Sequence, residues 1–395
     1  MAEMTRVLVG IPTYNESHNI ERVTRLVDDA LVANRSATSF AIANLDNNSP
    51  DGTAKIFANV TTRTPKVALA TQPGVVGKGA NIRLLMTHAL EHGFDAAITL
   101  DADLQHVPPQ WISAFTDAID RPSPVLALPL YARPANDGSL TNHVIVPLLA
   151  AVTGHPIRQP IGGDMGFSRR FMQDVTAVDW PDTAYRFGVD LFFALFAMRH
   201  GEYTQTPLAV GKHHPWRNAA PNQVEPEFSG KFDDIVSTLL DLLTQSRPHS
   251  TGVPGVGAFP DCPPLDEATA RKCDPRFMIA VAQSEHERQS REPCYQYLLG
   301  GIEGAEARPL LPDHAWAGVL SRALQAWPSE EPSAFLKALR ALLYCRIATD
   351  QAEFVGLSQA EVDGRVLRVA SLINIDAHSD QGTPIPGPTP KEAIA

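Results

Sequence analysis

Short apolar runs alternate with helical stretches through the first 130 residues, and this alternation constrains the fold more than any other feature of the sequence. The apolar runs predict strands over 7–11, 40–45, 67–70, 96–100 and 125–129. Helices are predicted between them, at 20–31, at 79–92 and after Pro108. Repeated strand–helix units indicate an α/β fold, in which a mainly parallel sheet is covered by helices on both faces.

Polar residues follow the predicted strands at the points where the strands end. They lie at 12–16, at 46–48, at 74–79 and at Asp101-Ala102-Asp103. In open α/β sheets, ligands bind beyond the carboxyl ends of the strands. We therefore expect these segments to form one ligand site.

The rest of the chain differs from this alternating part in composition. We predict an α/β domain at 1–247, in two halves at 1–130 and 131–247. A Pro- and Gly-rich linker at 248–264, a helical region at 265–379 and a disordered tail at 380–395 follow it. The second half of the α/β domain is mixed, with helices near 140–152, 187–199 and 232–243 and a strand at 205–210. Helices in the C-terminal region are predicted at 266–290, 314–326, 333–349 and 359–372, as packing helices or as a homodimer interface.

Composition excludes several classes of partner. The chain has 33 basic and 44 acidic residues and a formal charge of −11, which disfavours binding to nucleic acid but leaves room for one local basic pocket. No stretch approaches the roughly 18 consecutive apolar residues that cross a bilayer, and the N-terminus has no leader pattern. The cysteines lack metal-ligand spacing and all follow Pro260: Cys262, Cys273, Cys294 and Cys345. We expect reduced thiols and a cytoplasmic protein that acts on small molecules.

Two carboxylates separated by one residue, Asp101 and Asp103, directly follow a predicted strand. Such a pair can approach one hard divalent cation, whereas the alternative is a pair of turn or capping aspartates. His213 and His214 follow the strand predicted at 205–210. A neutral imidazole there is a candidate third metal ligand, and an ordinary exposed or structural histidine is the alternative.

Further polar residues lie close to predicted strand or helix ends. Lys78 sits in a glycine-bearing loop that opens a helix, where amides and a positive charge favour an anion, although the loop lacks P-loop spacing. Arg133 follows the strand at 125–129, where a guanidinium can bind a carboxylate through two hydrogen bonds. Gly162-Gly163 indicates close backbone approach, and Asp190 is an acid on an apolar helix that needs a partner.

Taken together, these motifs resemble the GT-A fold of nucleotide-diphosphosugar glycosyltransferases. Residues 11–16, 48–53 and 101–106 resemble dolichol-phosphate-mannose-synthase-like family 2 enzymes. Later motifs resemble the retaining glucosyl-3-phosphoglycerate synthases and, in part, the mannosylglycerate synthases: 131–134, 138–141, 147–149, 159–164, 188–190 and 211–214. The resemblance covers roughly residues 5–245.

The resemblance implies a role for each matched residue. The nucleotide-sugar donor, held mainly by the first half of the domain, would contact Pro12, Tyr14, Glu16, Asp46, Lys78, Ala102, Gly162 and Gly163. Mg²⁺ or Mn²⁺ on the diphosphate would be held by Asp101, Asp103 and His214 or His213. The acceptor would be bound by Arg133, Thr141 and Asp164. Catalysis would rest on Asp101, Asp103, Lys78 and Asp190.

The implied reaction moves a hexose from a UDP- or GDP-sugar to glycerate, phosphoglycerate or a similar small hydroxy acid, with retention of anomeric configuration. Two residues depart from the phosphoglycerate enzymes. Ser139 stands where they carry arginine, which weakens the case for a phosphorylated acceptor, and Asp164 stands where they carry glutamate. If the reaction inverts instead, a carboxylate base is needed, and Asp164 or Asp190 are the candidates.

Three other functions fit parts of the pattern. A polyprenyl-phosphate hexosyltransferase of the dolichol-phosphate-mannose-synthase type would invert configuration and act at a membrane surface. A nucleotidyltransferase also combines a parallel sheet with paired aspartates, but it should carry a glycine-rich basic loop where this chain has 12–16. A protein that binds nucleotide sugars without catalysis is the non-enzymatic alternative.

Overall fold

The computed structural model describes most of the chain, in nine segments: 5–34, 38–131, 138–208, 211–212, 221–245, 258–260, 275–301, 309–353 and 357–375. The predicted tail at 380–395 and most of the predicted linker at 248–264 lie outside the described residues. Cys262 and Cys273 also lie outside them, whereas Cys294 and Cys345 are free thiols.

Seven strands form one sheet. They are β1 (Thr5–Thr13), β2 (Thr38–Asp46), β3 (Lys66–Ala70), β4 (Ala96–Thr99), β5 (Val125–Leu130), β6 (Met165–Ser168) and β7 (Glu202–Pro207). Their order across the sheet is β3-β2-β1-β4-β6-β5-β7. Only β6 is antiparallel to its neighbours, β4 and β5, among the described strands.

Helices connect and cover the strands. The helices in the α/β part are α1 (Ile20–Ala33), α2 (Thr53–Asn59), α3 (Lys78–Glu91), α4 (Pro109–Ile119), α5 (Val146–Thr153), α6 (Arg169–Thr176), α7 (Val189–His200) and α8 (Pro221–Gln245). A π-helical turn, Thr141–Ile145, leads into α5, and a 3₁₀ turn, Asp182–Tyr185, precedes α7. The later helices are α9 (Pro275–Gln289), α10 (Pro293–Leu299), α11 (Asp313–Ala326), α12 (Pro332–Glu353) and α13 (Gln359–Leu372).

The predicted architecture is confirmed: a mainly parallel α/β sheet with helices on both faces, and a helical C-terminal region. Two strands differ from the prediction. The sequence pattern does not predict β6, because four residues that are all buried show no alternation. β7 begins before the predicted 205–210, since its partly exposed polar residues follow no apolar pattern.

Helices also differ at their limits. The described part of α9 begins at Pro275 rather than at 266, and 266–274 lies outside the described residues. The short helix α10 was not predicted. It has only seven residues between Pro293 and the left-handed Gly300, too few to show a helical period.

Alternate residues of β1 point to opposite faces of the sheet and enter two different cores. Val7 and Val9 belong to the core that includes Val27 of α1 and residues of α4. Leu8 belongs to the core that includes Leu85 of α3 and residues of α6 and α7. Burial of each such side chain contributes about 1.5–3 kcal/mol, so the two cores hold the carboxyl edge of the sheet in a fixed shape.

The C-terminal helices pack onto the second of these cores, which continues into Tyr295, Trp316 and Leu342. Polar contacts join the same surfaces. Trp316 Nε1 donates to the carbonyl of His143 in the π-helical turn at 2.6 Å, and Arg158 Nε donates to Asp363 Oδ1 at 2.8 Å. Among the residues that the structure describes, no helix has the length and apolar character needed to span a membrane.

The start of α3 lies directly against the 3₁₀ turn. The Gly79 amide donates to the carbonyl of Arg186 at 3.0 Å, and a Cβ at Gly79 would lie 1.8 Å from the carbonyl oxygen of Ala184. Because both groups are backbone atoms, no side-chain rotation can make room. This contact therefore fixes the position of Lys78 at the start of the helix.

We expect Gly79→Ala to lower the free energy of unfolding by about 1–3 kcal/mol, because the added methyl group forces α3 and the turn apart. Gly364→Ala is the matched control, since Gly364 is a helical glycine with open space around it. The control should be neutral or stabilising by up to about 1 kcal/mol. Urea unfolding followed by circular dichroism measures both; equal effects of the two substitutions would contradict the role assigned to this contact.

Candidate active site

The loops after β1 and β2 are tied together by buried polar side chains. Asp46 is buried at the end of β2, and its Oδ1 accepts from the hydroxyls of Thr13 (3.1 Å) and Ser49 (2.6 Å). Its Oδ2 accepts from the Ser49 amide at 2.9 Å. Asp46 was predicted to bind the nucleoside; the structure places it at the predicted edge, where it also joins the two loops.

Main-chain groups of the first loop are held by side chains of the second. The Asn15 amide donates to Ser49 Oγ at 2.9 Å, the Glu16 amide to Thr53 Oγ1 at 2.9 Å and the Ser17 amide to Asp51 Oδ2 at 3.0 Å. Asn15 and Asn48 both adopt positive φ values, 59° and 57°. These bonds leave the ring of Tyr14 49% exposed at the edge of the sheet.

The loop after β3 completes this side of the site. Asn48 Nδ2 donates to the carbonyl of Thr71 at 3.0 Å, and Thr71 Oγ1 donates to the carbonyl of Val75 at 2.7 Å. Asn47 Nδ2 donates to the carbonyl of Gly77 at 3.3 Å, immediately before α3. Val76 is half exposed on this loop. The surface beside Tyr14 is therefore a rigid, partly apolar shelf.

Charged side chains from five parts of the chain meet next to this shelf. Lys78 Nζ lies 3.1 Å from Asp101 Oδ1 and 3.7 Å from Asp190 Oδ2. Lys212 Nζ lies 2.6 Å from Asp101 Oδ2 and 3.0 Å from Asp164 Oδ2. We call these five residues the charged cluster. The sequence-predicted residues Lys78, Asp101, Asp164 and Asp190 are thus brought together.

Lys212 was not among the predicted site residues. Its position directly after a predicted strand and before His213 was the available signal, because strand ends supplied the other members of the charged cluster. The Nζ atom also donates to the carbonyl of Gly162 at 2.9 Å and lies 5.7 Å from the centre of the Tyr131 ring. The sequence alone does not reveal these contacts, because Lys212 lies in a polar segment where a lysine is ordinary.

Asp164 is the most buried member of the charged cluster, with its side chain 0% exposed. Its Oδ1 accepts from the amide of Asp101 at 2.9 Å, and the Tyr131 hydroxyl lies 3.1 Å from Oδ2 and 2.6 Å from the carbonyl of Gly162. Gly163 has φ 87°, and a Cβ there would lie 2.3 Å from Asp101 Oδ2. The Gly162-Gly163 turn therefore allows Asp101 to rest against backbone.

Asp190 enters the charged cluster from the first turn of α7. Its side chain is nearly buried, and its Oδ1 has no hydrogen-bond partner in the described part of the chain. A buried carboxylate oxygen without a partner is costly, so this atom is available to a donor group on a ligand.

Burial and neighbouring charges act in opposite directions on the pKa values of the charged cluster. Burial would lower the pKa of Lys78 and of Lys212, but the adjacent carboxylates, Asp101 first, raise both well above the ordinary value. Burial would raise the pKa of Asp101, but Lys212 and Lys78 lower it. Burial prevails at Asp164 and Asp190 and raises the pKa of each carboxyl. Both lysines and Asp101 are therefore charged at neutral pH.

A divalent cation fits part of the predicted ligand set. Oxygen donors are the ligands that Mg²⁺ and Mn²⁺ prefer, and Asp103, two residues after Asp101, is partly exposed. Each oxygen of Asp101, by contrast, faces a lysine ammonium. No group of three His, Cys, Asp or Glu side chains able to hold a metal occurs within the described segments, and His213 and His214 lie outside them.

The predicted acceptor residues are only partly described. Arg133 lies outside the described residues. Thr141 is buried in the first turn of the π-helical segment, where the neighbouring Asn142 accepts from Arg158 NH1 at 2.9 Å. Pro12 is half-buried at the end of β1, Glu16 accepts from Asn19 Nδ2 at 2.8 Å, and Ala102 is buried. Their predicted ligand roles stay predictions.

A mainly parallel α/β sheet with polar loops and a charged cluster at its carboxyl edge defines the class of α/β proteins that bind ligands at that edge. Residues 8–176 match the family model described as Glycosyl transferase family 2. This matched segment is a little under half of the chain.

Curated relatives share a limited part of their length with this chain. Dolichol-phosphate mannosyltransferase of Pyrococcus furiosus is 32% identical over 121 residues, which are 30% of this chain and 32% of that protein. Polyprenol monophosphomannose synthase of Mycolicibacterium smegmatis is 30% identical over 116 residues, 29% of this chain and 41% of that protein. The chain thus matches well under two thirds of either relative.

Among solved structures, the chain is similar to glucosyl-3-phosphoglycerate synthase from Mycobacterium tuberculosis in complex with Mn²⁺, uridine diphosphate and glucosyl-3-phosphoglycerate. The TM-score is 0.48 at 21% sequence identity, and the match covers 63% of this chain and 82% of that one.

The Asp51 carboxylate predicts an acid-sensitive link between the first two loops. Slight burial would raise its pKa, but hydrogen bonds from Thr53 and from Ser17 lower it from 3.8 to about 2. A carboxyl with a depressed folded-state pKa stabilises the fold above its unfolded pKa, and this stabilisation is lost as pH falls from about 4 to about 2. We expect Asp51→Asn to flatten the fall in stability over that range.

Thermal unfolding at a series of pH values measures this effect. Asp117→Asn is the control, because Asp117 is exposed on α4, away from the loops. It should retain the pH dependence of the original chain. If the stability of the Asp51→Asn protein falls with pH as steeply as that of the original chain, the Asp51 link does not contribute to the acid sensitivity of the fold.

Proposed function

We propose that this protein is a metal-dependent glycosyltransferase that moves a hexose from a nucleotide-diphosphate sugar to glycerate, phosphoglycerate or a similar small hydroxy acid. The observation that carries the proposal is the meeting of Lys78, Asp101 and Asp190 at the carboxyl edge of a sheet whose first four strands lie largely in the segment that matches the family 2 glycosyltransferase model. The positively charged groups there are local, which suits a diphosphate ligand on a chain of net charge −11.

The donor nucleoside would lie on the shelf formed by the first three loops. The exposed ring of Tyr14 offers a face on which a base can stack, and the loop hydrogen bonds to Asp46 hold that ring's backbone in place. Lys78 begins α3, so its ammonium group and the helix N-terminus both favour the negative diphosphate.

The divalent cation would be held by Asp103 together with His214 or His213. When bound, Mg²⁺ or Mn²⁺ neutralises charge that develops on the departing nucleoside diphosphate. Asp101 would act beside it, as the carboxylate that orients Lys78 toward the diphosphate. The supporting observation is that Asp101 has both oxygens on lysines, whereas Asp103 is accessible.

The transferred sugar would face Asp190 and the Gly162-Gly163 turn, which are in contact through the hydrogen bond of the Gly163 amide to the Asp190 carboxylate. The unpartnered Oδ1 of Asp190 is suited to accept a hydrogen bond from a sugar hydroxyl. In the retaining reaction that the motifs imply, the acceptor hydroxyl attacks from the face that the diphosphate leaves, and no protein nucleophile is needed. Asp164 is fully buried, which supports a role in holding Asp101 and Lys212 rather than in contacting the acceptor.

The acceptor carboxylate would be bound by Arg133, with Thr141 nearby in sequence after the same strand. Ser139 supplies no charge for a phosphate group. We therefore favour an unphosphorylated hydroxy acid such as D-glycerate over 3-phosphoglycerate.

A second candidate function is transfer of the hexose to a polyprenyl phosphate. The identity of about a third with two enzymes named for dolichol-phosphate and polyprenol monophosphomannose chemistry favours it. It shares the donor site of the first proposal and differs in the acceptor and in inversion of configuration.

A donor-by-acceptor screen separates these functions. UDP- and GDP-linked glucose and mannose are offered with D-glycerate, 3-phosphoglycerate or a polyprenyl phosphate, and the anomeric configuration of each product is read by NMR. Transfer to a hydroxy acid with retention supports the first proposal. Inverting transfer to polyprenyl phosphate alone overturns it in favour of the second, and release of pyrophosphate from a nucleoside triphosphate would indicate a nucleotidyltransferase.

We expect EDTA to abolish transfer and added Mn²⁺ or Mg²⁺ to restore it. Asp103→Asn should reduce turnover roughly 100-fold or more, because charge on the leaving diphosphate is no longer neutralised. Calorimetric titration with Mn²⁺ should show weaker binding to this variant. Asp117→Asn, an exposed change on α4, serves as control. Undiminished turnover in EDTA would remove the metal from the mechanism.

Arg133→Ala should raise the KM for the acceptor roughly 10- to 100-fold and leave the KM for the donor nearly unchanged, because only the acceptor carboxylate loses its charged partner. Arg121→Ala is the control, an exposed arginine just before β5, on the opposite edge of the sheet. Steady-state kinetics with each substrate varied in turn measures the KM for the acceptor and the KM for the donor separately. A change confined to the donor KM would contradict the assignment.

A further inference from the structure

Lys212 is surrounded by oxygen atoms in a way that Lys78 is not. Its Nζ lies 2.6 Å from Asp101 Oδ2, 2.9 Å from the carbonyl oxygen of Gly162 and 3.0 Å from Asp164 Oδ2. An ammonium group has three N–H donors, so these three acceptors use all of them. The side chain is only 7% exposed. Lys212 therefore has no donor left for a substrate.

Lys78 differs in each of these respects. It contacts Asp101 at 3.1 Å and Asp190 at 3.7 Å, and its side chain is 18% exposed. The longer contacts and greater exposure leave Lys78 able to turn toward a diphosphate. The two lysines that share one carboxylate thus have different tasks: one faces the ligand and the other is enclosed by the protein.

The acceptors around Lys212 come from separate parts of the fold. Asp101 follows β4, and Gly162 and Asp164 lie in the turn before β6. The ring of Tyr131, just after β5, lies 5.7 Å from Nζ and adds the attraction of an aromatic face for a cation. Lys212 itself comes after β7. One ammonium group therefore joins the ends of four strands, β4 to β7, that are neighbours in the sheet.

We propose that the ammonium group of Lys212 acts as a tethered monovalent cation that holds Asp101 and the Gly162-Gly163 turn in their working positions. Lys212 is then a positioning residue for Asp101 and, through it, for Lys78. The inference deepens the proposed transferase function and rests on it for the catalytic readout, but the cation site itself is a property of the fold.

Removal of this cation would leave Asp101 Oδ2, Asp164 Oδ2 and the carbonyl oxygen of Gly162 without the positive charge between them, while Lys78 would still contact Asp101 Oδ1. Such buried acceptors are strongly destabilising when unpartnered, but together they form an oxygen cage that a small free cation can enter. A Lys212→Ala protein should therefore bind ammonium in place of the lost side chain. Tetramethylammonium has no N–H donor and is too large for contacts of this length.

The test measures Lys212→Ala in ammonium chloride and in tetramethylammonium chloride at equal ionic strength. In tetramethylammonium, we expect turnover to be roughly 10- to 100-fold below that of the original chain. Ammonium should recover most of this loss in kcat and should raise the Tm of the variant. The original chain should have the same turnover and the same Tm in both salts. So should Lys337→Ala, in which an exposed lysine on α12 is replaced.

Lys212→Met provides a second variant, since it keeps an unbranched side chain in the space and loses only the charge. It should be as inactive as Lys212→Ala but insensitive to ammonium, because the methionine side chain occupies the cation position. If Lys212→Ala folds poorly, its Tm in ammonium against tetramethylammonium still reports the cation site. Equal Tm and equal turnover in the two salts, or full activity of Lys212→Met, would overturn the proposal.

Failure of the proposed function has a different signature. If the original chain transfers no sugar in the donor-by-acceptor screen while ammonium selectively raises the Tm of Lys212→Ala, the tethered cation is supported and the transferase function is not. If transfer occurs but the two salts act alike on Lys212→Ala, the transferase function stands and the tethered cation is wrong.

Discussion

The carboxylate of Asp101 lies between two lysine ammonium groups, and the geometry of the site depends on this arrangement. Lys78 reaches it from the start of α3, and Lys212 reaches it from the segment after β7. Buried charges of this kind are stable only when each has a partner in good geometry. The attraction therefore draws the ends of β4, β7 and α3 together, and the Gly162-Gly163 turn supplies the backbone surface against which Asp101 rests. These contacts hold Asp101 in a fixed position at an edge of the sheet that consists mainly of loops.

The side of the edge proposed for the nucleoside is organised by hydrogen bonds within and between the loops rather than by ion pairs. Hydroxyl and amide groups of the first loop bond to Ser49, Thr53 and Asp51, and Asp46 accepts from both loops. These polar side chains are occupied by the protein's own backbone, so they shape the shelf more than they face solvent. What remains exposed is the ring of Tyr14 and the apolar Val76. The site thus has a shelf suited to a flat ring next to a charged cluster suited to a diphosphate.

The rule that ligands bind beyond the carboxyl ends of strands located Asp101 and the first two loops from sequence, because each lies directly after a run with a clear apolar pattern, and Lys78 was located by the glycine-bearing loop between the third strand and α3. The rule failed where the pattern is weak. β6 has four buried residues and no alternation, so the antiparallel strand that carries Asp164 beneath the cluster could not be foreseen. Lys212 was missed because its partners Asp101 and Gly162 lie 111 and 50 residues away. Long-range pairing of charges leaves no local pattern in the sequence.

The segment that matches the family 2 model ends at residue 176, yet two members of the charged cluster, Asp190 and Lys212, lie beyond it. That segment alone brings one lysine and two aspartates to the site, with the positive charge on one side of Asp101 only. The following 70 or so residues of the α/β part add one anion and one cation without changing the balance, and they enclose Asp101 from its other side. The loops proposed to face the nucleotide and the Asp190 carboxylate proposed to face the sugar therefore belong to different stretches of sequence. Related chains that share only the first stretch can keep the same shelf and the Gly162-Gly163 turn and differ in the groups at the positions of Asp190 and Lys212.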